Sequence, residues 1–335
     1  MGKTKTRIYL WDNVKVLLIV SVVMGHFVTQ YTGSSEVMRS MFVIIYTFHM
    51  PLFVFVSGLF AKSSIKNDKL RIDRVISYLL LYVLLKFVIF IVRISFGHNS
   101  AFRLFYEQGI PWYMLAMAVF LCLTYALRGI KPQILILITT IISLLAGFES
   151  GIGDVFSLSR IIVFFPIFLL GFYLDSNKIA EVSRKPAFRI ISLIIIIAFV
   201  ALSFIFTNQF YSLRPALVAR LSYEKMGSDL VGLLSRIIQY ILGAVISFAI
   251  ICVLPNKENK LSYIGAATLP IYFIHRPILY ILMDLGFGDF VMSKGGAWAF
   301  LACAVVLTFL LSWPPLKIPF DKIMKFKYTK ILRRY

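Results

Sequence analysis

Carboxylates are scarce in this chain, and where it is most apolar they are missing. Asp and Glu number 15 against 35 Lys and Arg, and all of them lie in loops or near the ends of apolar runs. A Ser-His-Asp triad therefore cannot assemble at the middle of such a run, and carboxylate ion pairs are not expected to neutralise the bases there. Cysteine is rarer still. Cys122, Cys252 and Cys303 each sit inside an apolar run without metal-ligand spacing, so they read as small packing residues and no metal site is expected. The chain has no long linker, no low-complexity segment and no stretch with the composition of a soluble catalytic domain. Short alternating strands are absent too, which excludes a transmembrane barrel.

What is present is apolar: 60% of the residues are hydrophobic. Ten runs near 14–31, 38–61, 75–97, 111–128, 132–148, 158–175, 188–207, 229–254, 262–283 and 296–313 approach the ~20 residues a helix needs to cross a bilayer. The net charge of +20 falls mainly on alternate connections. Lys3, Lys5 and Arg7 precede the first run; 62–74, 128–131, 178–189 and 257–260 are basic, as is the segment after the tenth run, which includes Lys330, Arg333 and Arg334. That alternation is the positive-inside rule. The expected fold is an all-α integral membrane protein of about ten transmembrane helices with both termini cytoplasmic. A single domain is expected to fill 1–335, with a basic tail at about 315–335 and no fused soluble domain. The charge suits anionic membrane lipid, and nucleic acid is not an expected partner. The first run is not a cleavable signal peptide, being long and lacking a small-x-small site.

Ionisable groups inside these runs cost several kcal/mol, on the order of 3 each, so each needs a reason. They are Lys15, His26, His49, Lys86, Arg93, Arg236, His275 and Arg276. The bases have no evident carboxylate partners, which points to an anionic or electron-rich ligand. In KVLLIVSVVMGH (15–26), eleven residues bring Lys15 and His26 onto one helix face about 16 Å apart along the axis. Asp12 lies ~21 Å from His26 along that axis and so pairs with Lys15 or a loop arginine rather than orienting the histidine. Snorkelling for Lys15 and a carbonyl bond for His26 are the plainer alternatives. His49 and His275 reach similar depth, each followed by a proline (Pro51, Pro277), where kinked helices lining a cavity are expected. In RIDR (71–74), Arg71 and Arg74 lie one turn apart on a helix and suit phosphate, unless they only mark a positive-inside loop.

These segments resemble the acyltransferase-3 family of integral-membrane acyltransferases, in particular its fucose 4-O-acetylase-like subgroup. The matching stretches are DNVKVLLIVSVVMGHF (12–27), FHMPLFVFVSGLF (48–60), RIDR (71–74), PWYMLAMAVF (111–120), SRIIVFFPIFLLGFYL (159–174) and TLPIYFIHRPIL (268–279), in the family's order over most of the chain. The resemblance implies transfer of an acyl group, usually acetyl, from cytoplasmic acetyl-CoA to a hydroxyl of a cell-surface polysaccharide or lipid-linked glycan. It implies functional roles for Lys15, His26, Arg71 and Arg74. A multi-pass protein of a bacterial plasma membrane is expected.

Transfer from a thioester to a hydroxyl needs a base and stabilisation of an oxyanion. His26 is the first choice, as general base or transient acyl carrier, with Lys15 near the donor's entrance. Arg71 and Arg74, with Asp12 at the same end, are the candidates for holding the donor's phosphates. Trp112, Tyr113, Arg160, Tyr272, His275, Arg276 and His49 are candidates for the acceptor pocket, because aromatic faces beside hydrogen bonders suit sugars. A transporter or flippase of a glycan or anionic lipid intermediate is the alternative.

Overall fold

The computed structural model describes residues 8–328; Lys3, Lys5, Arg7, Lys330, Arg333 and Arg334 lie outside the described residues. The chain runs α1 (Tyr9–Val28), α2 (Glu36–Ala61), a two-stranded hairpin of β1 (Ile65–Lys66) and β2 (Lys69–Leu70), then α3 (Ile72–Ser95), α4 (Trp112–Ala126), α5 (Pro132–Leu145) and α6 (Leu158–Tyr173). It continues through α7 (Ser176–Val182), α8 (Pro186–Ile205), α9 (Thr207–Tyr211), α10 (Arg214–Val218), α11 (Asp229–Val253), α12 (Thr268–Asp284), α13 (Phe287–Leu311) and α14 (Lys317–Lys325). Each of the ten apolar runs thus carries a helix of 14 residues or more, the shortest being α5. Among the described residues, six helices are long and apolar enough to cross a membrane, or up to seven if α6 and α7, which meet at 88°, form one broken span. Leu, Ile and Phe side chains stand exposed along α8 and α11, among them Ile190, Ile194, Ile197, Leu230 and Ile241. In water such a surface would be costly; in hydrocarbon it is the expected exterior.

The helices start where short polar side chains can replace missing backbone partners. Ser35 caps α2 by accepting from the Met38 N–H, and Ser228 caps α11 by accepting from Val231. α2 and α12 continue through Pro51 and Pro277 as single helices. A break falls at Gly296 inside α13, whose φ of 68° a side chain would resist. The tenth apolar run begins at that residue.

α2 and α6 make the tightest helix contact. A Cβ on Gly58 would overlap the Phe168 carbonyl oxygen, and one on Gly171 would overlap that of Phe55. Where hydrocarbon solvates every helix equally well, small residues gain association by letting backbones meet.

The first turns of α1 are held by the 254–267 connection. Buried Asn13 donates to the carbonyls of Pro255 (2.8 Å) and Lys257 (3.0 Å), and its Oδ1 accepts from Asn259 (2.9 Å) and Ser262 (3.2 Å). The Leu10 N–H donates to Asn256 Oδ1 at 2.8 Å. Asn13→Ala leaves two carbonyls and two side-chain donors without their partner. It is expected to destabilise the protein by about 1–3 kcal/mol, read as a lowered unfolding midpoint in detergent. An unchanged midpoint would refute the role given to Asn13.

Candidate functional site

Six helices converge on a cavity of about 320 Å³, near the low end of the ~300–1,000 Å³ typical of ligand pockets. Lys15 of α1, Ser63 and Ser64 after α2, Arg74 of α3 and Met324 of α14 line one end. Ser57 of α2, Tyr113 of α4 and Tyr272 of α12 line the other. Lys15 is held by Asp12 at 3.8 Å and lies 4.1 Å from the centre of the Phe60 ring. Arg74 Nε is buried without a hydrogen-bond partner among the described residues. A cation poised this way suits an anionic ligand.

Arg71 departs from the helical expectation. It is the N-cap of α3, with non-helical φ and ψ, stands exposed and does not line the cavity. The hairpin 65–70 feeds the chain into α3 at that residue, so the two guanidiniums do not share one helical face.

At the inner end, the Tyr113 and Ser57 hydroxyls share a hydrogen bond of 2.5 Å, and the Tyr272 hydroxyl donates to the Ile110 carbonyl. Behind Tyr272 stand the histidines. The His275 ring is 6.2 Å from that of Tyr272 and stacks on His26 at 5.2 Å with 30° between planes. His275 Nδ1 donates to the Ile271 carbonyl (2.9 Å), so a neutral ring leaves a lone pair on Nε2, which is fully buried and unpartnered among the described residues. His49 is arranged likewise, its Nδ1 donating to the Ile45 carbonyl at 2.8 Å, and it packs edge-on to Tyr46. Arg276 Nη1 reaches the His26 carbonyl at 3.5 Å, and His49, Arg160 and Arg276 all lie within electrostatic range of His26. His26 itself is only partly buried, on the continuous helix that also carries Lys15.

Arg160 and Trp112 sit in the wall rather than the cavity. Arg160 donates to the carbonyls of Gln108 (3.1 Å), Gly109 (3.3 Å) and Val218 (3.4 Å), with its guanidinium over the Trp112 ring. Ser157 Oγ donates to the Glu107 carbonyl at 3.3 Å. Together they fix segment 107–111, whose Ile110 carbonyl receives Tyr272. Nearby, Asp154 takes a bidentate bond from Arg220, both contacts 2.8 Å. Burial alone would raise the Asp154 carboxyl; the Arg220 and Gln108 hydrogen bonds outweigh it and hold the group below its usual range.

One expectation fails outright. Lys86 has a carboxylate partner: Glu107, buried in the 96–111 connection, meets it at 2.6 Å. No signal at 107 announces this, because the pair depends on the connection folding inward. Ser57, which also lines the cavity, is not among the residues named from the sequence, although a Ser-Gly pair inside an apolar run is a visible anomaly. Among the described residues no group of three or more His, Cys, Asp or Glu comes together as metal ligands. A family model described as an acyltransferase domain, of the acyltransferase-3 type, matches residues 8–316. No curated protein and no solved structure matches the chain.

Proposed function

The chain belongs to the acyltransferase-3 family, and from that premise we propose that this membrane acyltransferase moves acetyl from cytoplasmic acetyl-CoA to a hydroxyl of a cell-surface polysaccharide or lipid-linked glycan. The proposal includes the fucose 4-O-acetylase-like subgroup, ten crossings with both termini cytoplasmic, and the plasma membrane of a bacterium. The observation that carries it is the cavity whose far wall, Tyr272, is backed by the His275–His26 stack.

Lys15 and Arg74 meet the donor's phosphates at the cytoplasmic mouth, while its acyl arm points along α1. Arg71 and Asp12 stand at the same end, Arg71 exposed to the part of the donor left outside and Asp12 steadying Lys15. His26 accepts the proton of the acceptor hydroxyl as its oxygen attacks the thioester carbonyl, forming the C–O bond. The resulting oxyanion lies in the field of Arg276. Collapse breaks the C–S bond, and the departing thiolate takes the proton back from His26. The unpartnered His275 Nε2 accepts a hydrogen bond from a second hydroxyl of the acceptor, which would satisfy a buried group that otherwise costs about 1–3 kcal/mol. His49 supports the same cluster from α2.

Purified protein given labelled acetyl-CoA and candidate glycans tests the reading. Acceptor-dependent release of coenzyme A is expected; movement of glycan across vesicles without donor consumption would establish a transporter instead. Arg74→Gln is expected to raise KM for acetyl-CoA roughly tenfold, as for a lost charge-assisted bond, with kcat little changed. If kcat fell and KM stayed, Arg74 would not be a donor-binding residue.

A further inference from the structure

A second pocket, of about 390 Å³, lies at the opposite end of α3 from the Lys15 cavity. It is bounded by the last turns of α3, by the 96–111 connection and by Tyr280 of α12. Three cations line it, Lys86, Arg93 and Arg103, against one carboxylate. That carboxylate, Glu107, is already engaged, with Oε2 on Lys86 (2.6 Å) and Oε1 accepting from the Gly109 N–H (2.5 Å). The Arg93 and Arg103 side chains make no hydrogen bond or ion pair among the described residues. Each lies instead against a ring, Arg93 at 5.1 Å from Tyr280 and Arg103 at 5.9 Å from Tyr106.

We infer that this pocket binds the acceptor, and that it takes a glycan bearing a carboxylate or phosphate. The inference rests on the acyltransferase reading above and adds to it the acceptor's place and charge. In the proposed orientation the pocket opens on the outer face, where arginine is the exception. Two guanidiniums without carboxylates are forks for a planar or tetrahedral anion. Phe90 and Phe102, packed edge-on at 5.7 Å, offer apolar walls for the ring faces of a sugar.

The pocket's position connects it to the donor. Gly109 and Pro111 line this side of segment 109–113, and Tyr113 lines the donor cavity on the other. Between them the Ile110 carbonyl receives the Tyr272 hydroxyl. Tyr280 gives a further link: Arg276 sits 4.5 Å from its ring and reaches back to the His26 carbonyl. The two cavities thus share segment 109–113 as a wall, and Arg276 links Tyr280 of the acceptor pocket to the helix of His26.

Binding of a fluorescent glucuronate-bearing hexasaccharide to the full chain in detergent tests this, beside a neutral hexasaccharide and phosphatidylglycerol. The acidic sugar is expected to bind saturably, with affinity falling roughly tenfold in Arg93→Gln and in Arg103→Gln and unchanged in Arg128→Gln. Arg103 is exposed, so its variant keeps the test independent of folding. Absent binding, equal binding of neutral and acidic sugars, or affinity indifferent to both arginines would overturn the assignment. Displacement of the sugar by phosphatidylglycerol would also overturn it, in favour of a lipid headgroup. Arginine-dependent binding without acceptor-dependent release of coenzyme A would sink the acyltransferase reading and leave the pocket standing.

Discussion

His26→Ala is expected to lower the turnover of acyl transfer by about 10²–10⁴-fold, the usual contribution of a positioned general base. The reason is positional. His26 is the imidazole on the helix that also carries Lys15, about 16 Å further along the axis, so one rigid element sets both the donor's entry and the reacting end. It is also the partly exposed member of its stack, whereas His275 is fully buried. The packing of α1 does not depend on this ring, since Ile19, Val22, Val23 and Phe27 supply the buried contacts around it. The variant should therefore insert and melt like the parent while losing coenzyme A release. His275→Ala should lose activity as well, and the double variant should lose little more than His26→Ala, as expected of residues acting as a unit. A His26→Ala protein that turns over at the parental rate would end this mechanism.

Gly171→Leu is expected to cost more than about 3 kcal/mol, beyond ordinary overpacking, because no side chain can yield to make room. What stands opposite is the Phe55 carbonyl and the backbone of Leu59, with Gly58 placed reciprocally against Phe168. Separating α2 from α6 would also move Ser57 and Phe53, which line the donor cavity, so activity should fall with stability. Thermal unfolding in detergent measures the first effect and coenzyme A release the second. Gly33→Ala is the control, since nothing lies within 4 Å of the added carbon. A Gly171→Leu protein that unfolds with the parent would mean that the close approach of these helices is not needed.

Much of the site could be read before any fold was known. Lys15, inside an apolar run, and Arg74, in a basic connection, are read as donor-side cations, and Tyr113 and Tyr272 as acceptor contacts; all four line one cavity. His26 and His275 were placed at similar depth from their distance to the ends of their runs, and their rings stack. Depth is legible because a membrane helix rises a fixed distance per residue. Lateral neighbours are not. Arg160 and Trp112 read as acceptor contacts, but Arg160 donates to backbone carbonyls of the 108–109 and 218 segments, and Trp112 packs against the Arg160 guanidinium and the Phe164 ring.

The amino-acid sequence by itself determined where the helices lie and which residues interrupt their apolarity, since a bilayer demands that each run satisfy its own backbone hydrogen bonds. The fold decided the rest. It split Arg71 from Arg74 at the start of α3, brought Glu107 inward to Lys86, and placed the Ile110–Tyr272 contact between two cavities. It also set a break at Gly296 inside α13. Each of these depends on groups far apart in the chain meeting through the packing of other helices, and no local period or composition encodes such a meeting.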